Sequence, residues 1–93
     1  MDETTKEILI ILQEEAIEVA HEVSKIMRFG PDQIKPGTEI TNMQALQKEI
    51  GDLQAMVEFL VKRGVGVNTN GISKAKKEKL QRLVKWSTIP VKG

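Results

Sequence analysis

The chain contains no cysteine, so neither a disulfide framework nor a thiolate zinc site can staple its 93 residues. Aromatic side chains make up only 3% of it, with one tryptophan and no tyrosine. The interleaved aromatics on which single-stranded nucleic acid stacks are therefore missing. No apolar run approaches the roughly 20 residues that a bilayer crossing needs. The chain opens on Asp2 and Glu3, the wrong charge for a secretory signal, and a cytoplasmic location is expected. A chain of this length forms one small domain and buries only about 60–65% of its unfolded surface. Small folds without staples commonly gain core by association, so a homo-oligomer, dimer or tetramer, is expected.

What is present is charge, unevenly spread. Residues 1–60 carry twelve Asp/Glu against five Lys/Arg, a net −7, and residues 61–93 carry nine Lys/Arg against one Glu, a net +8. An acidic body with a basic C-terminal third fits nucleic-acid binding. It fits equally a cation site and a phosphate clamp within one pocket.

Helical periodicity dominates, with little strand signal. Thr4 with Glu7 reads as a capping box, so a first helix is expected from about residue 5 to Phe29, stopped by Gly30 and Pro31. Thr41 with Gln44 repeats the capping pattern and predicts a second helix from about Asn42 to Arg63, ended by Gly64. The run Gly64 to Gly71 reads as loop, and Ser73 is the expected cap of a basic third helix reaching about Ser87. Thr88 to Gly93 forms a tail broken by Pro90. The fold class is all-α, a small bundle of three to four helices completed by oligomerisation.

On a helical wheel Leu9, Leu12, Ala16, Val19, Ala20, Val23 and Met27 form one apolar stripe, expected to face the core. Glu14, Glu15, Glu18, His21, Glu22, Lys25 and Arg28 lie opposite, with Ile10 and Ile11 extending that side as a second contact or an apolar pocket. The second helix places Met43, Leu46, Ile50, Leu53, Val57 and Leu60 on its stripe, with Glu49 at the edge and Asp52 one step further round. A carboxylate beside a helix contact is costly unless something pairs with it.

Two acidic pairs stand at i, i+3: Glu15 with Glu18, and Glu49 with Asp52. Each pair occupies neighbouring ground one turn apart, and antiparallel packing of the two helices lets the pairs face each other. Four clustered carboxylates repel, and a hard divalent cation relieves that; oxygen-only ligands favour Mg²⁺ or Mn²⁺ over zinc. The same spacing also describes an ordinary solvated face.

The run Glu14-Glu15-Ala16-Ile17-Glu18, followed by Glu49-Ile50-Gly51-Asp52, resembles the E-E-x-x-E … E-x-x-D signature of the MazG-like nucleotide pyrophosphohydrolases. That all-α superfamily also includes dimeric dUTPases and phosphoribosyl-ATP pyrophosphatases. The stretch Ser24 to Gly30, Asn42, Lys79-Leu80 and Lys85-Trp86-Ser87 extend the likeness to the short members common in bacteriophages. The loop between the motif helices is shorter than the family's usual four-helix protomer requires.

The resemblance implies Mg²⁺-dependent hydrolysis of a nucleoside triphosphate, ribo or deoxy, between its α and β phosphates. It makes Glu15, Glu18, Glu49 and Asp52 the metal ligands. Glu14 becomes an outer carboxylate or the group that orients the attacking water. Lys25 and Arg28 fit phosphate contacts, or salt bridges such as Glu22 to Lys25. Asn42 fits a sugar or base contact, or a helix start. Lys79 fits the pyrophosphate, and Trp86 fits base stacking or an anchor for the last helix. His21 reads as an exposed helix histidine, and Ile10, Ile11 and Met56 as a base slot or subunit packing. Competing readings are phosphoribosyl-ATP hydrolysis, a non-catalytic nucleic-acid binder using the basic helix, and a helical interaction module with a merely soluble acidic face.

Overall fold

The computed structural model describes residues 1–91 and is all-α. Its three helices are α1 (Glu3–Phe29), α2 (Asn42–Arg63) and α3 (Thr69–Trp86). The chain divides into two compact units, Met1–Arg63 and Gly64–Gly93. The last two residues of the expected tail lie outside the described residues. Among the described residues, no helix is long and apolar enough to cross a membrane.

The helix ends follow from local chemistry. α1 starts earlier than Thr4 and Glu7 suggest. Asp2 is its cap, accepting the Thr5 backbone N–H at 2.8 Å. That bond, reinforced by Arg63, holds the Asp2 carboxyl below its ordinary value. α1 ends where Gly30 takes φ 91°, left-handed territory that suits glycine, while its N–H still donates to the Ile26 carbonyl. α2 begins on the expected capping box. The Thr41 N–H donates to Gln44 Oε1 at 2.9 Å, and the Gln44 N–H to Thr41 Oγ1 at 3.1 Å. It closes at Gly64, whose φ of 66° again suits glycine. α3 starts five residues before the helix that Ser73 would cap. Asn68 is its cap, with its side chain accepting the Gly71 N–H at 2.7 Å.

Within the first unit α1 and α2 pack as an antiparallel hairpin. Asp2 at the start of α1 pairs with Arg63 at the end of α2. The loop between them is pinned rather than slack. Ile34 and Thr41 form an isolated antiparallel bridge, and the Lys35 N–H donates to the Ile40 carbonyl at 2.9 Å.

The contact face differs from the expected one. On α1 the inward positions are Thr5, Ile8, Leu12, Glu15, Val19, Glu22 and Ile26, all buried or half-buried. Ala16, Ala20, Val23 and Met27 are exposed, so the seam is rotated by somewhat less than a quarter turn from the apolar stripe. On α2 the seam is Asn42, Ala45, Glu49, Asp52, Met56 and Leu60, while Met43 and Ile50 are exposed. Both runs step by three and four residues, the rhythm of two helices meeting along a narrow line. Part of the physical reason is that several polar seam residues find partners there, which offsets some of the cost of burying them. Asn42 is 2% exposed, and its Nδ2 donates to the Gly30 carbonyl at 3.0 Å and to Gln33 Oε1 at 3.4 Å. It ties the end of α1 to the start of α2.

Two outcomes test this account. Asn42→Ala removes the buried donor and lowers unfolding stability by about 1–3 kcal/mol, read by urea denaturation. Asp2→Ala lowers the Tm by a few degrees above the carboxylate range. Because the folded Asp2 carboxyl is held low, its contribution fades as the pH falls and both chains converge in acid.

Candidate metal centre

The α1–α2 seam brings Glu15, Glu49 and Asp52 together. One carboxylate oxygen from each lies within 4.8 Å of the other two, and all three side chains are half-buried. The sequence explains the convergence. Glu49 and Asp52 are one turn apart on α2, Glu15 faces them from α1, and antiparallel packing fixes the register. Glu18, one turn beyond Glu15, is exposed and not among the converging three, and Glu14 is exposed beside them.

The electrostatics of the cluster are unfavourable to a full set of negative charges. Burial raises the Glu15 carboxyl above its ordinary value, with a hydrogen bond shared with Glu49 and the charges of Asp52 and Glu49 adding to the shift. Lys48 relieves part of this. Its Nζ lies 2.7 Å from Asp52 Oδ2 and 3.6 Å from Glu49 Oε1. Those carboxylates push the Lys48 ammonium above its ordinary value, Asp52 most. A donor set of carboxylate oxygens alone, close-spaced and short of positive charge, suits a hard divalent ion such as Mg²⁺ or Mn²⁺.

The basic and aromatic candidates make other contacts or stand exposed. Lys25 pairs with Glu22, its Nζ 3.4 Å from Glu22 Oε1, which is the salt bridge named as its plainer reading. Arg28 sets its guanidinium 5.0 Å from the Phe29 ring centroid. Asn42 serves as a helix-start tie. His21 is exposed, Met56 is half-buried in the seam, and Ile10 is exposed. In the second unit Lys79 is exposed, and Trp86 is 75% exposed under the Lys85 ammonium.

Three residues escaped the sequence reading. Lys48 stands four residues before Asp52, a spacing that flags an ion pair on any helix. Glu22 was placed on the polar face, and the rotated seam buries it. Lys35 reaches Glu22 Oε1 at 3.6 Å from the loop, where no periodicity could have pointed to it.

The cluster yields a thermodynamic prediction. With its pKa raised on folding, Glu15 binds its proton more tightly in the native state. Stability is therefore lost as the pH rises from the ordinary carboxylate range through the raised value. In EDTA at neutral pH, Glu15→Gln melts higher than the parent chain, and the gap closes in acid. Added Mg²⁺ or Mn²⁺ raises the Tm of the parent chain and not of the variant.

Compared with protein-family models, curated proteins and solved structures, the chain matches none.

Proposed function

We propose that this protein is a divalent-metal-dependent hydrolase that cleaves a nucleoside triphosphate between its α and β phosphates. The products are the monophosphate and pyrophosphate. The observation that carries this reading is the meeting of Glu15, Glu49 and Asp52 oxygens across the α1–α2 seam. The E-E-x-x-E … E-x-x-D resemblance to the MazG-like pyrophosphohydrolases supports it from the sequence.

Glu15, Glu49 and Asp52 would hold the ion, with exposed Glu18 able to join from the next turn. Bound Mg²⁺ supplies charge neutralisation at the phosphates and a more acidic water. Glu14, exposed beside the cluster, orients the attacking water and accepts its proton. That water's oxygen bonds to phosphorus as the bridging P–O bond breaks, and the electron pair leaves with the departing phosphate group. Lys48 is mostly solvent-exposed beyond its carboxylate contacts, and it is free to turn from Asp52 to a phosphate oxygen.

We also infer that the hairpin works as a homo-oligomer. Among the described residues only Ile8, Ala45 and Leu60 are fully buried hydrophobics, too few to hold a 63-residue unit by themselves. The apolar stripe that the seam leaves uncovered carries Val23 and Met27, the latter 81% exposed. On α2 an open groove of about 240 Å³ is lined by Met43, Leu46, Gln47 and Ile50. A second copy that covers these faces supplies the missing core.

Two experiments test the reading. Pyrophosphate release from the common ribo- and deoxyribonucleoside triphosphates requires Mg²⁺ or Mn²⁺. It falls on the order of a hundredfold or more in Glu15→Gln and in Asp52→Asn. Orthophosphate as product would move the cleaved bond and refute the assignment. Turnover of phosphoribosyl-ATP alone would keep the reaction and change the substrate. Sedimentation velocity gives a dimer or larger species, and Val23→Glu with Met27→Glu shifts it toward monomer; a monomeric parent chain would refute the association.

A further inference from the structure

A buried glutamate holds two lysines at the loop end of the hairpin, away from the metal centre. Glu22 is 2% exposed, and both ammonium groups approach its Oε1, Lys25 at 3.4 Å and Lys35 at 3.6 Å. Lys25 comes from α1 and Lys35 from the loop that follows it. Their side chains are only 28% and 33% exposed, so both are largely fixed by packing. An ammonium has three donors to place. Among the described residues neither lysine has an ion-pair partner besides Glu22, so two positive charges share one negative charge.

Both lysines line one cavity of about 270 Å³, and Glu22 lies outside its wall. Phe29, Ile34, Pro36 and Asn42 line the same cavity. Fixed donors that are short of counter-charge and open onto a cavity suit the oxygens of an anion, since the ordering of the donors is already done. Phe29 and Ile34 are 51% and 48% exposed, large apolar side chains left half uncovered. Inorganic phosphate would answer the lysines and leave that apolar wall wet. An anion with a hydrocarbon body covers both parts of the lining, the usual pairing of apolar walls with a few placed polar groups. A carboxylate brings one negative charge, which equals the excess of the two lysines over Glu22. The cavity falls just below the roughly 300–1,000 Å³ of drug-sized sites, so its ligand is small.

Phe29 stands fourteen residues along α1 from Glu15, about 21 Å at 1.5 Å per residue. A ligand seated there is separate from a substrate held at the carboxylate cluster.

We propose that this cavity binds a small organic carboxylate, its head group between Lys25 and Lys35 and its hydrocarbon body against Phe29, Ile34 and Pro36. Such a ligand touches α1 and the loop together, so it fastens the corner of the hairpin. The inference goes beyond the phosphohydrolase reading and does not depend on it.

The test uses the full chain in EDTA at low ionic strength, with backbone amide shifts followed by NMR. Benzoate, acetate, benzyl alcohol and inorganic phosphate are the probes. Benzoate gives saturable shifts confined to residues 22–42. Acetate, which lacks the ring, needs roughly tenfold more, and benzyl alcohol, which lacks the charge, does not saturate. Lys35→Gln raises the benzoate requirement roughly tenfold, Lys35→Arg restores most of the binding, and Glu15→Gln leaves it unchanged. Lys25 still answers Glu22 in Lys35→Gln, and unshifted amides in the rest of the hairpin report that the variant is folded. Absence of saturable benzoate shifts in this region would overturn the inference. So would benzyl alcohol binding as tightly as benzoate, phosphate binding more tightly than benzoate, or benzoate binding untouched by Lys35→Gln.

Discussion

Carboxylates on the contact face of two helices are the constraint around which this hairpin is arranged. Glu15, Glu22, Glu49 and Asp52 all lie on the α1–α2 seam, where apolar side chains would serve stability better. Each is answered locally. Lys48 answers Asp52 and Glu49, Lys25 and Lys35 answer Glu22, and the nearby charge of Lys48 eases Glu15 in part. The answers are incomplete, with Glu15 pushed toward its neutral form and one oxygen of Glu22 left bare. A seam that is electrostatically unfinished at two places, two turns apart, is poorly explained by stability alone.

That arrangement also accounts for what could and could not be seen in the sequence. The bounds of α2, its capping box and the glycines that end α1 and α2 were legible, because each depends on residues within a turn of each other. The meeting of Glu15 with Glu49 and Asp52 was legible only as an alternative to a solvated face, and the expected fourth member, Glu18, stays outside the converging three. The start of α3 was not. Asn68 caps it, and the turn-forming run Gly64 to Gly71 hid a helix start within a loop signal. The orientation of α1 was not legible either. Its wheel carries an apolar stripe and a mixed stripe, and hydropathy favours the first as core. The mixed stripe is the one that packs on α2, because its polar members find partners there. Loop residue Lys35 lies thirteen positions from the carboxylate it meets, and no local rule connects them.

The uncovered apolar stripe and the acidic seam are two sides of one allocation. A helix has room for about two distinct faces. Here one face is given to carboxylates within the hairpin, which leaves a more hydrophobic one outward, at Val23 and Met27. In the proposed oligomer, association would add to the stability that the intramolecular contact supplies.

The ion pair between Asp2 and Arg63 has a topological consequence. It sets the first turn of the 63-residue unit against its last, so the unit enters and leaves at one point. Such a segment behaves as a closed module. Its ends lie close enough for a short linker, so a permutant cut at the Pro36–Gly37 corner would keep α1 and α2 adjacent along the chain. Spliced whole into a surface turn of an unrelated protein, it would demand no separation of the host's ends.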